Sequence, residues 1–287
     1  MEIKQIAKTR GGQDGAIFGD YLFRLSANGA CRIYRVDTFH KEDGIAMPPE
    51  ITEIVLDRAG KLVPHSNAVC FGAEYFEEGD EFPLLYSNIY NNYAKAEDPL
   101  VGACCVYRVQ RSGDKFWTTL VQLIRVGFTD SREHWRSEGQ VQDLRPYGNF
   151  TVDRQKNLLY AFVMRDQVPS TRFFAFRLPK CSEGKLDDRL GIRCVCLEWE
   201  DVIDSFDTPY QNFMQGACCH DGKIYCVEGF HETIHPAIRI IDPAQKKEIF
   251  YADFCQEGYP TEAEFIDFNG ENCWYCDVAG NVYQLKF

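Results

Sequence analysis

The chain lacks any apolar run long enough to cross a membrane, and its first residues, Met1-Glu2-Ile3-Lys4-Gln5-Ile6, carry no apolar stretch of the kind an export leader needs. Basic charge is also short. Lys and Arg number 31 against 43 Asp and Glu, a net of −12. Nucleic acid and anionic membrane surfaces both call for basic patches, so neither is an expected partner. No stretch is rich enough in Pro, Gly or Ser to act as a linker, and residues 1–287 are expected to form one domain. There is no Gly-x-Ser-x-Gly elbow, no phosphate-cradling glycine loop and no aspartate-rich loop of calcium spacing. Those absences argue against the common serine hydrolase, nucleotide and calcium-loop chemistries.

What is present is apolar and aromatic. A hydrophobic share of 45% with 14% aromatics is enough for a substantial core and excludes disorder. Thirteen cysteines are many, yet Cys31, Cys70, Cys104, Cys105, Cys194, Cys196, Cys218, Cys219 and Cys226 all lie within apolar strand-like runs. Such thiols behave as small hydrophobes, which points to a reducing, cytoplasmic setting. Cys273 and Cys276 have redox spacing, but positions three apart on a strand face opposite ways. They read as packing.

Five segments open alike: Asp14-Gly15-Ala16-Ile17, Asn67-Ala68-Val69-Cys70, Asn149-Phe150-Thr151-Val152, Gln215-Gly216-Ala217-Cys218 and Glu264-Phe265-Ile266-Asp267. Most run into a short turn, such as Gly19-Asp20, His220-Asp221-Gly222 or Asn269-Gly270, and then a second apolar strand. Repeats at roughly 50-residue pitch signify radial β architecture. The expected strands are 14–18, 21–26, 31–36 and 51–56; then 67–71, 82–88, 103–109 and 117–127; then 149–153, 158–164, 171–178 and 193–203; then 215–219, 223–228, 236–242 and 247–253. The last repeat has only 264–268, 273–277 and 281–286. Residues 2–7 would supply its fourth strand and close the ring, removing an exposed edge.

This pattern resembles the five-bladed β-propeller superfamily over nearly the whole chain. The resemblance rests on the repeated openings, on turn-plus-aromatic strands such as His220-Asp221-Gly222-Lys223-Ile224-Tyr225, and on closing strands such as Arg239-Ile240-Ile241-Asp242-Pro243. It implies an all-β ring of four-stranded antiparallel blades. Members include glycoside hydrolases, lectins and calcium-dependent nucleotidases, so the fold alone does not choose an activity.

Topology brings all inner strands to start on one face. Asp14, Asn67, Asn149, Gln215 and Glu264 would then ring a solvated channel mouth, each offering a side-chain oxygen. Loops bearing Tyr90, Trp135, Tyr210, His231 and Tyr259 open on the same side. Aromatics mixed with amides suit a small polar ligand with a flat apolar face, most simply a carbohydrate, bound by a monomer without a cofactor or metal. The enzymatic alternative is glycoside hydrolysis by Asp14 and Glu264, weakened because Asn67, Asn149 and Gln215 cannot exchange protons. A protein-interaction scaffold is the third reading. His231 and His235 are four apart, but Pro236 places them in a loop, and no third zinc ligand is evident from spacing.

Overall fold

The computed structural model describes residues 1–62, 64–89, 103–126, 144–165, 170–230 and 233–287, with the backbone alone over 144–148. Strand β1 (Glu2–Lys8) is followed by β2 (Gly15–Phe18), β3 (Tyr21–Leu25), β4 (Ala30–Arg35) and β5 (Glu50–Val55), which form blade one. Blade two contains β6 (Val69–Phe71), β7 (Leu85–Ile89), β8 (Ala103–Ser112) and β9 (Lys115–Val126). Then come β10 (Leu144–Asp153), β11 (Leu158–Arg165), β12 (Ser170–Arg177), β13 (Lys185–Asp187), β14 (Ile192–Leu197) and β15 (Val202–Thr208). Blade three is β10-β11-β12-β15. Blade four is β16 (Met214–His220), β17 (Lys223–Phe230), β18 (Ile234–Asp242) and β19 (Lys247–Asp253). Blade five is β20 (Ala263–Asn269), β21 (Asn272–Asp277), β22 (Asn281–Lys286) and, returning from the start of the chain, β1.

The ring is a five-bladed β-propeller. Glu2 pairs with Lys286 and Gln5 with Tyr283 across the closing seam, as the alternation of residues 2–7 predicts. At the tip of the β16–β17 hairpin, Asp221 and Gly222 both have positive φ, +47° and +67°. That is the two-residue turn whose twist matches its flanking strands.

The core lies in the seams between blades. Phe23 and Leu25 of blade one meet Phe71 and Leu85 of blade two. Tyr86 and Cys104 meet Phe150 and Val152 across the next seam. Phe162 and Phe173 meet Ala217 and Cys226, and Val227 and Ile238 meet Tyr275 and Cys273. Leu22 and Tyr34 meet Phe265 and Trp274 where the ring closes. Alternate residues of one strand therefore serve opposite seams. Cys273 faces blade four and Cys276 faces blade one, as strand periodicity requires.

One strand expectation is overturned. Residues 193–203 do not form a single outer strand of blade three. They divide at a 3-10 turn, Trp199–Asp201, capped reciprocally by Glu198 and Asp201. The part before the turn, β14, runs parallel to β9 and pairs Cys194 with Leu123, extending blade two. The part after it, β15, pairs with β12 and completes blade three. The hairpin β13–β14 covers the long outer edge of β9, which would otherwise invite foreign strands. It also explains why Cys196, on that outermost layer, is exposed, whereas Cys31, Cys70, Cys104, Cys105, Cys218 and Cys226 are buried.

Candidate functional site

Each inner strand begins at the same end of the ring, and the residues that open them converge there. They are not solvated as expected. Asp14, Asn67, Asn149 and Glu264 are buried, and Gln215 alone is half-buried. Cross-blade hydrogen bonds draw them inward, and the ring divides into two unlike halves.

The amide half spans blades two to four. Asn88, which the repeat pattern did not single out, donates through Nδ2 to Oδ1 of Asn67 at 2.7 Å and of Asn149 at 2.8 Å. Its own Oδ1 accepts the Ala68 N–H at 3.0 Å. Asn149 and Asn67 each donate to the Met214 carbonyl, at 3.0 and 3.4 Å. These amides satisfy one another, and a closed network of this kind fixes neighbouring blades in register.

The acidic half spans blades five and one. Asp14 accepts the Val69 N–H at 2.8 Å through Oδ2, tying blade one to blade two. Its Oδ1 has no hydrogen-bond partner among the described residues, nor have Oε2 of Glu264 and Nε and Nη1 of Arg24. Arg24 is wholly buried, and its Nη2 donates to the carbonyls of Gly12 and Asp277 at 3.0 and 3.2 Å. Glycine at 216 lets the β16 backbone approach Asp14 and Glu264 closely. A Cβ there would lie 3.0 Å from Asp14 Oδ1 and 2.7 Å from the Glu264 carbonyl.

Burial pushes the Glu264 carboxyl up to about 8; Arg24 and the Gln13 hydrogen bond oppose this, and Glu262 adds to it. Asp14 is also raised well above the usual carboxylate range by burial, against the pull of the Gly15 and Val69 N–H groups and Arg24. A permanently charged buried guanidinium favours one carboxylate beside it. Burial pushes both acids toward their neutral forms, and Arg24 opposes it in each. Gln215 links the halves to the next shell, donating to the Gly229 carbonyl at 3.0 Å and to Glu262 Oε1 at 2.8 Å.

The two candidate aromatic residues that the structure describes, Tyr210 and Tyr259, make their contacts elsewhere. Tyr210 lies over the Arg239 guanidinium, 3.9 Å from ring centroid to carbon, and hydrogen-bonds Glu248 on the outer strand β19. Tyr259 packs edge-on against Tyr283 and donates to the Ile3 carbonyl of β1 at 3.3 Å. Tyr90, Trp135 and His231 lie outside the described residues.

A second feature went unread in the sequence. At the opposite mouth of the channel a cavity of about 240 Å³ is lined by residues from all five blades, among them Cys70, Arg154, Cys219, His220, Asp267 and Phe268. The His220 ring stacks flat on Phe268 at 3.8 Å. Burial raises the Asp267 carboxyl to about 6, although the Ile17 and Phe268 N–H groups and Arg154 favour its charge. Burial also raises the Cys70 thiol to about 12 and lifts Cys219. These thiols are protonated and poor nucleophiles. The inward-facing ends of the five inner strands were the available signal.

No family model matches the chain, and no curated protein matches it. Solved structures share the fold. An exo-β-1,3-galactanase from Phanerochaete chrysosporium, crystallised with β-1,3-galactotriose, is 9% identical with a TM-score of 0.51, over 99% of this chain and 64% of that one. This chain thus spans just under two thirds of the galactanase's length. Glutaminyl cyclase from Myxococcus xanthus is 10% identical with a TM-score of 0.49, over 100% and 94% of the two chains. At such identities the likeness concerns the fold.

Proposed function

We propose that the acidic half of the ring binds a small polar ligand bearing several hydroxyl groups, most simply a carbohydrate. The observation that carries this reading is the set of buried atoms on Asp14, Glu264 and Arg24 that have no hydrogen-bond partner among the described residues. Buried polar atoms nearly always have partners, and each one left unmet costs about 1–3 kcal/mol. A polyol supplies both donors and acceptors, matching two buried carboxyl groups and a guanidinium. The galactanase that binds a galactotriose shares the same fold, which is compatible with such a ligand. The binding unit in this reading is one chain forming one domain, because a single chain supplies every ring residue. The thirteen free thiols favour a reducing, cytoplasmic location.

Titration calorimetry against a panel of mono- and oligosaccharides tests the reading. Binding should be lost in Glu264→Ala and in Asp14→Ala, which remove the hydrogen-bonding groups, with circular dichroism showing the fold retained in each. A saccharide bound equally by the parent chain and both variants would rule the site out.

One observation favours hydrolysis as a second reading. Burial raises the Glu264 carboxyl to about 8, toward the protonated form that a general acid acting on a glycosidic oxygen needs. Release of nitrophenol from aryl glycosides by the parent chain, abolished in Glu264→Gln, would establish it.

A further inference from the structure

At the rim of blade four, on the face that carries the polar ring, His235, Asp253 and Cys255 bring one ligand atom each to within 4.8 Å of one another. Strand register puts them there. β18 pairs Ala237 with Asp253, and the Phe254 N–H donates to the Pro236 carbonyl at 2.8 Å. Continuing that register by two residues sets His235 opposite Cys255, with Asp253 next along the same face. Sequence spacing hides the trio, since 18 residues separate His235 from Asp253.

The donors are already oriented. His235 Nδ1 lies 2.9 Å from Asp253 Oδ2, and Oδ1 of the same carboxylate accepts the Cys255 N–H at 2.8 Å. Gln256 Nε2 approaches Oδ2 at 3.5 Å. Burial raises the Asp253 carboxyl, but the His235 and Cys255 hydrogen bonds outweigh it and leave it below its ordinary range. An imidazole nitrogen, a thiol sulfur and an ionised carboxylate are the three ligand types that zinc prefers. On a tetrahedral ion they would stand roughly 3.3–3.8 Å apart, given bonds of about 2.0–2.3 Å. To reach that spacing the His235–Asp253 pair opens slightly from 2.9 Å, while Cys255 Sγ lies within 4.8 Å of both.

We propose that His235, Asp253 and Cys255 bind a zinc ion through Nδ1, a carboxylate oxygen and Sγ, leaving one tetrahedral position for water or a ligand donor. The ion takes the place of the proton shared by His235 and Asp253, and the Cys255 thiol releases its proton to become a thiolate. Three protein ligands with an open position is the arrangement of reactive rather than closed structural zinc sites. The site adjoins the ring: Pro236 packs against Gly229, whose carbonyl accepts the Gln215 amide. It stands independently of the carbohydrate reading.

The test loads the full chain with cobalt(II) and with zinc after dialysis against a chelator. The parent chain should take up one ion, and the cobalt form should show tetrahedral d–d bands with a thiolate charge-transfer band. Cys255→Ser should lose the charge-transfer band, and His235→Ala should lose most of the affinity, with circular dichroism unchanged in both. The proposal is overturned if the parent chain retains no stoichiometric ion. It is equally overturned if uptake and the charge-transfer band persist in both variants, since another of the thirteen cysteines would then hold the metal.

Discussion

The two halves of the polar ring are built from the same repeat position, yet they are settled in opposite ways. On the amide half, Asn67, Asn88 and Asn149 exchange hydrogen bonds and share the Met214 carbonyl. On the acidic half, Asp14, Glu264 and Arg24 retain buried atoms with no hydrogen-bond partner among the described residues. The amides lock blades two to four together. The acids sit where β1 closes the ring and where an incoming ligand would find unmet hydrogen-bonding groups. A repeat position is therefore hydrogen-bonded within the protein on one side and, among the described residues, left with unmet groups on the other, depending on whether its neighbours complete its hydrogen bonds.

Deleting residues 1–8 should produce the largest effect on this contrast. It removes the strand that pairs with β22 and strips Ile6 and Ala7 from the seam beneath the acidic half. The thermal midpoint should fall further than for any point variant below, and hydrogen exchange should rise first in blades five and one. Unchanged melting would show that the acidic half does not depend on the closure.

Asn88→Ala should come next. It removes the amide that bridges two others and leaves several buried groups unpaired, so a loss of about 2 kcal/mol is expected in denaturant unfolding. Ligand binding at the acidic half should survive. If Asn88→Ala abolishes binding without lowering stability, the division between the halves is wrong.

Glu264→Gln should have the smallest effect on stability, because it keeps shape and replaces a carboxyl that burial already pushes toward its neutral form. Its signature is a pH profile. The folded pKa of about 8 lies above the ordinary 4.5, so the folded chain holds this proton more tightly. The stability this adds is complete below 4.5 and is lost as the pH rises through 8. Midpoints measured across that interval should fall more steeply for the parent chain than for Glu264→Gln. Asp14, raised by burial as well, keeps part of the slope in the variant. Parallel profiles would show that Glu264 is ionised throughout.

Much of this was legible in the order of residues. Period-two alternation and recurring turns announced five blades, and the missing strand of the last repeat pointed to residues 2–7, because such local patterns depend only on neighbouring side chains and backbone geometry. The same logic placed Asp14, Asn67, Asn149, Gln215 and Glu264 at one end of the inner strands. What the sequence could not express is proximity across blades. Asn88 meets Asn149 from 61 residues away, Arg24 approaches Asp14 and Glu264 from the second strand of its blade, and β14 leaves its expected blade to pair with β9. Burial of the ring, the pairing of its amides and the juxtaposition of His235 with Asp253 and Cys255 all follow from long-range strand register. Only the closed tertiary structure decides these, since hydrogen bonds and desolvation act through space and not along the chain.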